Sequence, residues 1–552
     1  MKNFLATLLC SFLLYTMTLA QETTVGLISY DITQAYQGYT LIYPHNQSSV
    51  FLLDNCGEIV HEWTDADTIR PGNSAYILND GSLVRAKRNA NISMDPIWAG
   101  GGGGILEHVT WDNELIWSYT LNNEEERLHH DFSVMPNGNF LMIAWERITN
   151  EEAIAAGRDS MKLNQTDLWP DFIREIDPTT DSVVWEWRAW DHLVQDFDST
   201  KANFGNVAEE FRKIDVNFDT RNGASDWMHA NAIDYNPTLD HIMLSVPYFN
   251  EIWIIDHSTT TEQAMTDRGG RSNHGGDLLY RVGDPETYRR SDIGQQILFG
   301  QHDAHWANSF LPPNHPDFGK LVCFNNNNPG GYSSIEIFNS QWNMYTSDYD
   351  TFDSSFPPYE FNNTITHPDT FALSSSGLSS AQILPNGNLL ACSGRFGYLV
   401  EMTPDQDIVW EYIVPRMGAN AVEQGTVLEI NNNLTFRAFK YPEDYSAFDG
   451  RDLSPKGFIE LNPIEDYCNR LVVTTTPEET ISMLYPNPAN DMVHLAWDSG
   501  RIIDIEVFDL VGRKRIHEKG NGGMKYLDIS DLEPNIYFIR IDDKQAMRLI
   551  KN

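Results

Sequence analysis

The sequence predicts an all-β chain: a six-bladed β-propeller over residues 21–465 followed by a small C-terminal β-sandwich over 484–552. Three observations carry that reading. A pair of hairpins recurs through residues 37–463, the second hairpin of the pair ends in an aromatic residue, and the tail changes its strand pattern and charge together. A composition of 41% hydrophobic, 12% aromatic and 21% charged residues has ample core and excludes disordered, collagenous and small disulfide-scaffold classes.

In chain order, Met1-Lys2-Asn3 leads into an apolar run from Phe4 to Leu14 and the small-residue exit Thr18-Leu19-Ala20. This is the pattern of a secretory signal peptide, residues 1–20, cut after Ala20. The run is short for a membrane span and no later segment resembles one, so no span is expected. The first hairpin of the repeat places Asn or Gly between apolar runs: Ser74–Ala86 around Asn79-Asp80-Gly81, His130–Trp145 around Pro136–Asn139, and Ser380–Cys392 around Pro385–Asn388. Looser copies are Asn231–Val246 and His305–Phe324. The second hairpin runs to a tryptophan in Leu52–Trp63, His108–Trp117, Arg174–Trp187 and Tyr398–Trp410. Asn-Gly and Asp-Gly between alternating residues are the strongest local hairpin signal. Two hairpins make a four-stranded sheet, and such a sheet cannot bury both faces alone, so its repetition implies stacked blades. Blade starts near residues 74, 129, 229, 302 and 379 give five. The sixth combines strands of 38–63 with strands of 426–461 and closes the ring.

The gaps 146–173, 194–228, 258–298 and 340–378 exceed what propeller turns need, and loops of that length are expected to fold over one face as a lid. Within them Glu151–Gly157 reads as a short helix capped by Thr149 or Asn150. After the exit of the signal segment four cysteines remain, Cys56, Cys323, Cys392 and Cys468; their spacing leaves three pairings open, and the lack of CxxC argues against thiol redox chemistry and a zinc ribbon.

A linker is expected over 466–483, where Thr474–Thr480 is rich in Thr, Pro and Glu. From residue 484 the chain carries 11 acids and 10 bases, against 67 and 28 before it. The motifs Tyr485-Pro486-Asn487-Pro488, Val507–Gly512, Leu527–Leu532 and Ile536–Ile539, with a basic end, resemble the C-terminal sorting domain of the type IX secretion system of Bacteroidetes. That resemblance implies the secretion machinery as a partner and a product secreted or held on the outer cell surface after passing the periplasm. Asn535 stands where Gly is usual before the Ile-Tyr pair; Asn tolerates a left-handed turn there.

The whole chain has 38 Lys and Arg against 78 Asp and Glu, a net charge of −40. Such a surface repels nucleic acid and anionic lipid, so neither is expected as a partner, and an anionic substrate must meet a local cluster of Arg, Lys or His. Histidine marks where. His129-His130-Asp131, His229-Ala230-Asn231 and Gln301-His302-Asp303-Ala304-His305 each open the innermost strand of a blade. Innermost strands line the channel, so their starts converge on one mouth. Imidazole is a nucleophile and a base poised near neutral pH. The histidines lack HxH or HExxH spacing, so no metal is expected. No GxxxxGK[ST] occurs, and Gly100–Gly104 has no strand–helix context, so it reads as a loop rather than a phosphate cradle.

Over residues 37–463 the chain resembles the aryl-sulfate sulfotransferase family. The carriers are Tyr39–Ile42, Val50–Asp54 with Gly57–Trp63, His130-Asp131 with Pro136–Asn139, Asp226–Ala232, Asp277–Arg281 and Gln301-His302-Asp303. The resemblance implies an exported enzyme that moves a sulfuryl group from a phenolic sulfate to a phenol acceptor, through a sulfohistidine and with no phosphoadenosine or other cofactor. It makes His229 and His302 the channel histidines at the phenolic oxygen. The chain departs from the family at two places. Where the family has its nucleophilic histidine this chain reads Cys392–Tyr398, and where it has a sulfate-binding arginine this chain reads Asn325–Gly331. The expected catalytic set is therefore His229, His302, His305 and His130, with Arg395, Tyr398, Asn231 and Gln301 as substrate-binding residues. The rival expectation is a surface binding or adhesion propeller that has lost the nucleophile. A quinone-dependent dehydrogenase would want Cys-Cys or metal-ligand signals that the sequence lacks.

Overall fold

The computed structural model describes residues 23–65, 70–89, 95–472, 481–497, 503–509, 513–520, 524–541 and 546–552. The expected signal peptide 1–20 and the Thr474–Thr480 stretch of the expected linker lie outside the described residues, while the ends of that linker differ from expectation: Tyr467–Val472 is a helix and Ile481–Tyr485 a strand. The chain divides into two compact units at Leu471/Val472. Both are built almost wholly from antiparallel strands, and the first is propeller-like.

Among its described residues, the first unit holds six sheets of four or five strands. Five follow the repeat, each opening on the strand that faces the middle of the unit: Pro71–Ile77, Glu126–Val134, Ala232–Asn236, His302–Trp306 and Ser380–Ile383. The sixth pairs Thr435–Pro442 with Gly38–Pro44, Ser49–Leu53 and Ile59–Thr64, so the two ends of the unit share a sheet. A second closure was not expected from the sequence: Gly26–Tyr30 adds a fifth strand to the sheet of 380–413 by pairing with Ile408–Ile413. The opening strands lie against one another in succession, and Thr435–Pro442 touches both Ser380–Ile383 and Pro71–Ile77.

Aspartates stitch these strands together. Asp131 Oδ2 accepts from the Ile233 amide at 3.2 Å, Asp234 Oδ2 from Trp306 at 2.8 Å and Asp303 Oδ2 from Ala381 at 3.0 Å. Each carboxylate thus satisfies a buried amide of the next sheet, a group that would cost about 1–3 kcal/mol if left unpaired. The tryptophans act between sheets as well. Trp187 Nε1 donates to Gly276 O at 2.7 Å and Trp410 Nε1 to Asn55 O at 2.8 Å, both rings being buried.

The short helix is Asn150–Ala155, capped by Thr149, with Glu152 completing a reciprocal capping box. Of the open cysteine pairings the fold adopts Cys56–Cys468, which ties the first sheet to the end of the unit; Cys323 and Cys392 are free and buried.

The second unit holds one sheet of Ile481–Tyr485, Met492–Trp497 and Met524–Asp528 and another of Lys514–Gly520, Ile503–Asp509, Asn535–Ile541 and Ala546–Lys551. Val493, Leu495, Ile505, Val507, Leu527 and Ile539 fall in one apolar cluster. Asn535 needs no left-handed backbone: it opens an extended strand, and its side chain accepts from the Ile536 amide.

Candidate functional site

Three of the opening strands are bulged where they enter the middle of the unit. Pairing slips between Pro71 and Ala75, between Met142 and Ala144, pushing out 129–131, and between His302 and His305. A bulge inserts unpaired residues and re-aims their side chains. His130, His229 and Asp303 hold φ of 51°, 61° and 56°. That left-handed region costs a non-glycine residue about 1–2 kcal/mol, so the surrounding contacts must impose it.

The result is a cavity of about 490 Å³ that gathers His130, His229 and His302 with Arg221, Arg395, Tyr248, Asn250, Asn327 and the segment Ser376–Leu378. Three of the four expected catalytic histidines meet here. His130 and His229 lie with ring centroids 4.5 Å apart, edge to face.

The three imidazoles are held differently. His229 Nδ1 donates to Asp226 Oδ2 at 2.6 Å, which leaves the Nε2 lone pair without a hydrogen-bond partner among the described residues. The ring stacks on Tyr248 at 4.5 Å, and the Arg221 guanidinium lies 4.2 Å from the centroid of that tyrosine. Burial pushes the Tyr248 hydroxyl up to about 12, and the Asp226 charge adds to the effect. His130 Nδ1 lies 2.8 Å from His129 Nδ1, and His129 Nε2 lies 3.0 Å from Asp171 Oδ1. Burial, then the neighbouring imidazoles, hold His130 well below the usual histidine range, so it is neutral near pH 7. Its Nε2 abuts Gly101, where a Cβ would come within 1.9 Å; Gly101 also has a φ of +79° and its carbonyl accepts the His130 amide. Part of the glycine run is therefore a close-packed wall of the site, not a free loop.

His302 is engaged at both nitrogens. Nδ1 donates to Asn326 Oδ1 at 2.9 Å and Gly300 O at 3.1 Å, and Nε2 accepts the Leu378 amide at 3.1 Å. Burial pushes it down to about 4 even with the Asn326 bond in place. It holds the 375–378 segment rather than presenting a free nitrogen. Asn326 adds to this by donating to Ser375 O and Leu378 O.

Arg395 donates through Nη1 to Asn431 Oδ1 at 3.3 Å and pairs with no carboxylate among the described residues. Arg221 likewise has no carboxylate partner there. The cavity thus holds two guanidiniums with no carboxylate partner among the described residues, and a guanidinium suits an anion with two oxygens to offer.

The remaining expected residues stand elsewhere. His305 lies in a second cavity of about 220 Å³ beside Asp131, Asp234, Asp303 and Arg437. The bulged strand carries it past His302, and its Nδ1 is held by the Asp303 carbonyl. Tyr398 is buried in the third strand of its sheet, where its hydroxyl donates to Glu411 Oε1 at 2.6 Å and lies 3.2 Å from His367 Nε2. Asn231 and Gln301 are buried ties between sheets: Asn231 Nδ2 donates to Gln301 O and Gln301 Nε2 to Glu251 O. Sequence reading missed Asp226, Tyr248, Arg221 and Gly101. Asp226 could have been found from its spacing three residues before His229; Tyr248 and Arg221 lie in turns without a pattern.

A family model described as arylsulfotransferase (ASST) matches residues 33–412, and one described as secretion system C-terminal sorting domain matches 483–552. No curated protein matches the chain. Among solved structures, a protein of unknown function from Bacteroides caccae is similar at 10% identity, covering 74% of this chain and 100% of its own, with a TM-score of 0.37. A putative 6-phosphogluconolactonase from Bacteroides fragilis is similar at 10% identity, covering 74% and 99%, with a TM-score of 0.32. The Dos1 propeller is similar at 8% identity, covering 77% and 94%, with a TM-score of 0.31. The sorting domain marks the protein for secretion to the cell surface or outside and supports its interaction with the secretion machinery. No helix among the described residues is long and apolar enough to cross a membrane.

Proposed function

The chain belongs to the arylsulfotransferase family, and from that premise we propose that it moves a sulfuryl group from a phenolic sulfate ester to a phenol in the cavity shared by His130, His229 and His302. The observation that carries this reading is the His229–Asp226 pair facing the same cavity as the unpaired Arg395. A single reaction needs both parts. Sulfuryl transfer, like phosphoryl transfer, passes through a loose transition state in which positioning and charge stabilisation do most of the work.

Arg395 holds the sulfate oxygens with its planar fork. His229 Nε2 takes the proton of the acceptor hydroxyl, and Asp226 fixes the tautomer that leaves this nitrogen unprotonated and stabilises the imidazolium formed. The bond from sulfur to the acceptor oxygen forms as the bond from sulfur to the donor oxygen breaks, and the proton on His229 passes to the departing phenolate. The family's own nucleophile position holds no histidine, His305 lies in the other cavity, and His130 is held at Nδ1 by His129 and packed at Nε2 against Gly101, so these residues favour direct transfer between the two oxygens. His302 is a positioning residue that holds Leu378 and its neighbours at the cavity wall. The same reading takes the six sheets as the blades of one ring; the succession of opening strands from 71–77 round to 435–442 supports it.

The test is release of para-nitrophenolate from para-nitrophenyl sulfate with phenol as acceptor. His229→Ala and Arg395→Ala are each expected to lose roughly 10²–10³-fold in kcat/KM. Absence of release from the wild-type protein under any condition would leave the non-catalytic binding propeller as the reading that stands.

A further inference from the structure

Arg395 is sufficient for the sulfate being moved, which leaves Arg221 without a role. It sits in the turn before His229, on the His229 side of the cavity, while Arg395 follows the strand Leu389–Ser393. The local acids are already used. Asp219 accepts the Arg221 and Gly223 amides at 2.7 Å and lies 3.5 Å from Arg158, and Asp226 is held by His229. The Arg221 guanidinium lies instead 4.2 Å from the ring centroid of Tyr248, the residue on which His229 stacks. His229, Tyr248 and Arg221 all line the cavity. A phenol whose hydroxyl meets His229 Nε2 can therefore lie beside Tyr248 with a substituent of its ring at Arg221. Among the described residues the Arg221 side chain has no hydrogen-bond partner, which leaves its donors to a carboxylate or a sulfate.

Building on the sulfuryl-transfer reading, we infer that the acceptor is a phenol that carries a second, anionic group across the ring from its hydroxyl, and that Arg221 recognises that group. The inference names a substrate class for the site: hydroxyaryl carboxylates, or hydroxyaryl compounds already sulfated elsewhere, in preference to neutral phenols. The net charge of −40 sharpens the point, since elsewhere the surface repels such molecules.

The experiment compares para-hydroxyphenylacetate with para-hydroxyphenylacetamide, two acceptors of nearly equal shape that differ in charge. Binding of each is measured by calorimetry on the full chain, and transfer to each from para-nitrophenyl sulfate is measured as kcat/KM. The carboxylate is expected to bind about tenfold more tightly than the amide, with the same ratio in kcat/KM, and Arg221→Gln is expected to bring both ratios to within about twofold of unity. Equal binding of the two by the wild-type protein, or a preference that Arg221→Gln leaves intact, overturns the inference. The binding arm decides it even without turnover. Loss of all transfer with the binding preference retained counts against the sulfuryl-transfer reading alone.

Discussion

Asp226 decides which nitrogen of His229 carries the proton, so its effect on rate separates a working base from a buried ring. Asp226→Asn keeps the shape but can present its amide to Nδ1, which favours the wrong tautomer. We expect kcat for phenol sulfation to fall by about 10²-fold with KM little changed; an unchanged kcat would remove His229 from the chemistry. His302 predicts the opposite split. His302→Gln frees Leu378 and loosens the wall at Gly377, beside Arg395, so KM for the sulfate donor rises several-fold while kcat at saturation stays within a few-fold. A direct role in proton transfer would instead show as a collapse of kcat. At this scale the sequence was partly legible. The three cavity histidines could be picked out because each lies on or just before an inner strand, and Arg395 because its guanidinium stood out in so acidic a chain. Tyr398 misled because an aromatic close to Arg395 in sequence lies on the next strand out, two strands from the opening strand Ser380–Ile383. His305 misled because a bulge and three residues of strand carry it into another cavity.

Pairs of side chains joining neighbouring sheets fix how those elements stand against one another. His257 is the clearest case: its Nε2 lies 3.0 Å from Glu175 Oε2 of the preceding sheet and its Nδ1 2.7 Å from Asp240 Oδ1. Burial lowers its pKa, but the bonds to the two carboxylates outweigh that and raise it above the ordinary value. A histidine with a raised folded-state pKa binds its proton more tightly in the native protein. Its stabilisation is complete below the unfolded value, about 6.5, and is lost as pH rises through the folded value. Tm measured across that window is expected to fall with rising pH more steeply in the wild-type protein than in His257→Gln; parallel curves would mean that the pair carries no linkage. Trp410 makes the corresponding apolar joint, and Trp410→Ala should cost about 3–5 kcal/mol in a denaturant titration. The hairpins and the capped helix could be read from Asn-Gly turns and Thr149/Glu152 because those signals are local. The pairing of Gly26–Tyr30 with Ile408–Ile413 could not, because a short edge strand carries no mark of a partner so far along the chain.

For the whole molecule, the two ends of the first unit are joined twice, by the shared sheet and by Cys56–Cys468. Cys468→Ser should lower stability by about 2–5 kcal/mol and leave Cys56 reactive to a thiol reagent in the folded protein, whereas Cys323 and Cys392 stay protected by burial. The ends could be assigned to one sheet from the count of hairpins, but the disulfide could not, since spacing alone leaves three pairings. The sorting tail and the proposed function give one picture: a protein delivered to the outside, whose proposed anion-binding cavity lies in a chain of net charge −40. The measurement that tests this most directly is the mass balance of a reaction containing para-nitrophenyl sulfate, phenol and the purified chain. The account predicts one phenyl sulfate formed for each para-nitrophenolate released, with both lost together in His229→Ala. Nitrophenolate released with inorganic sulfate in place of phenyl sulfate, or at the same rate in the variant, would contradict it.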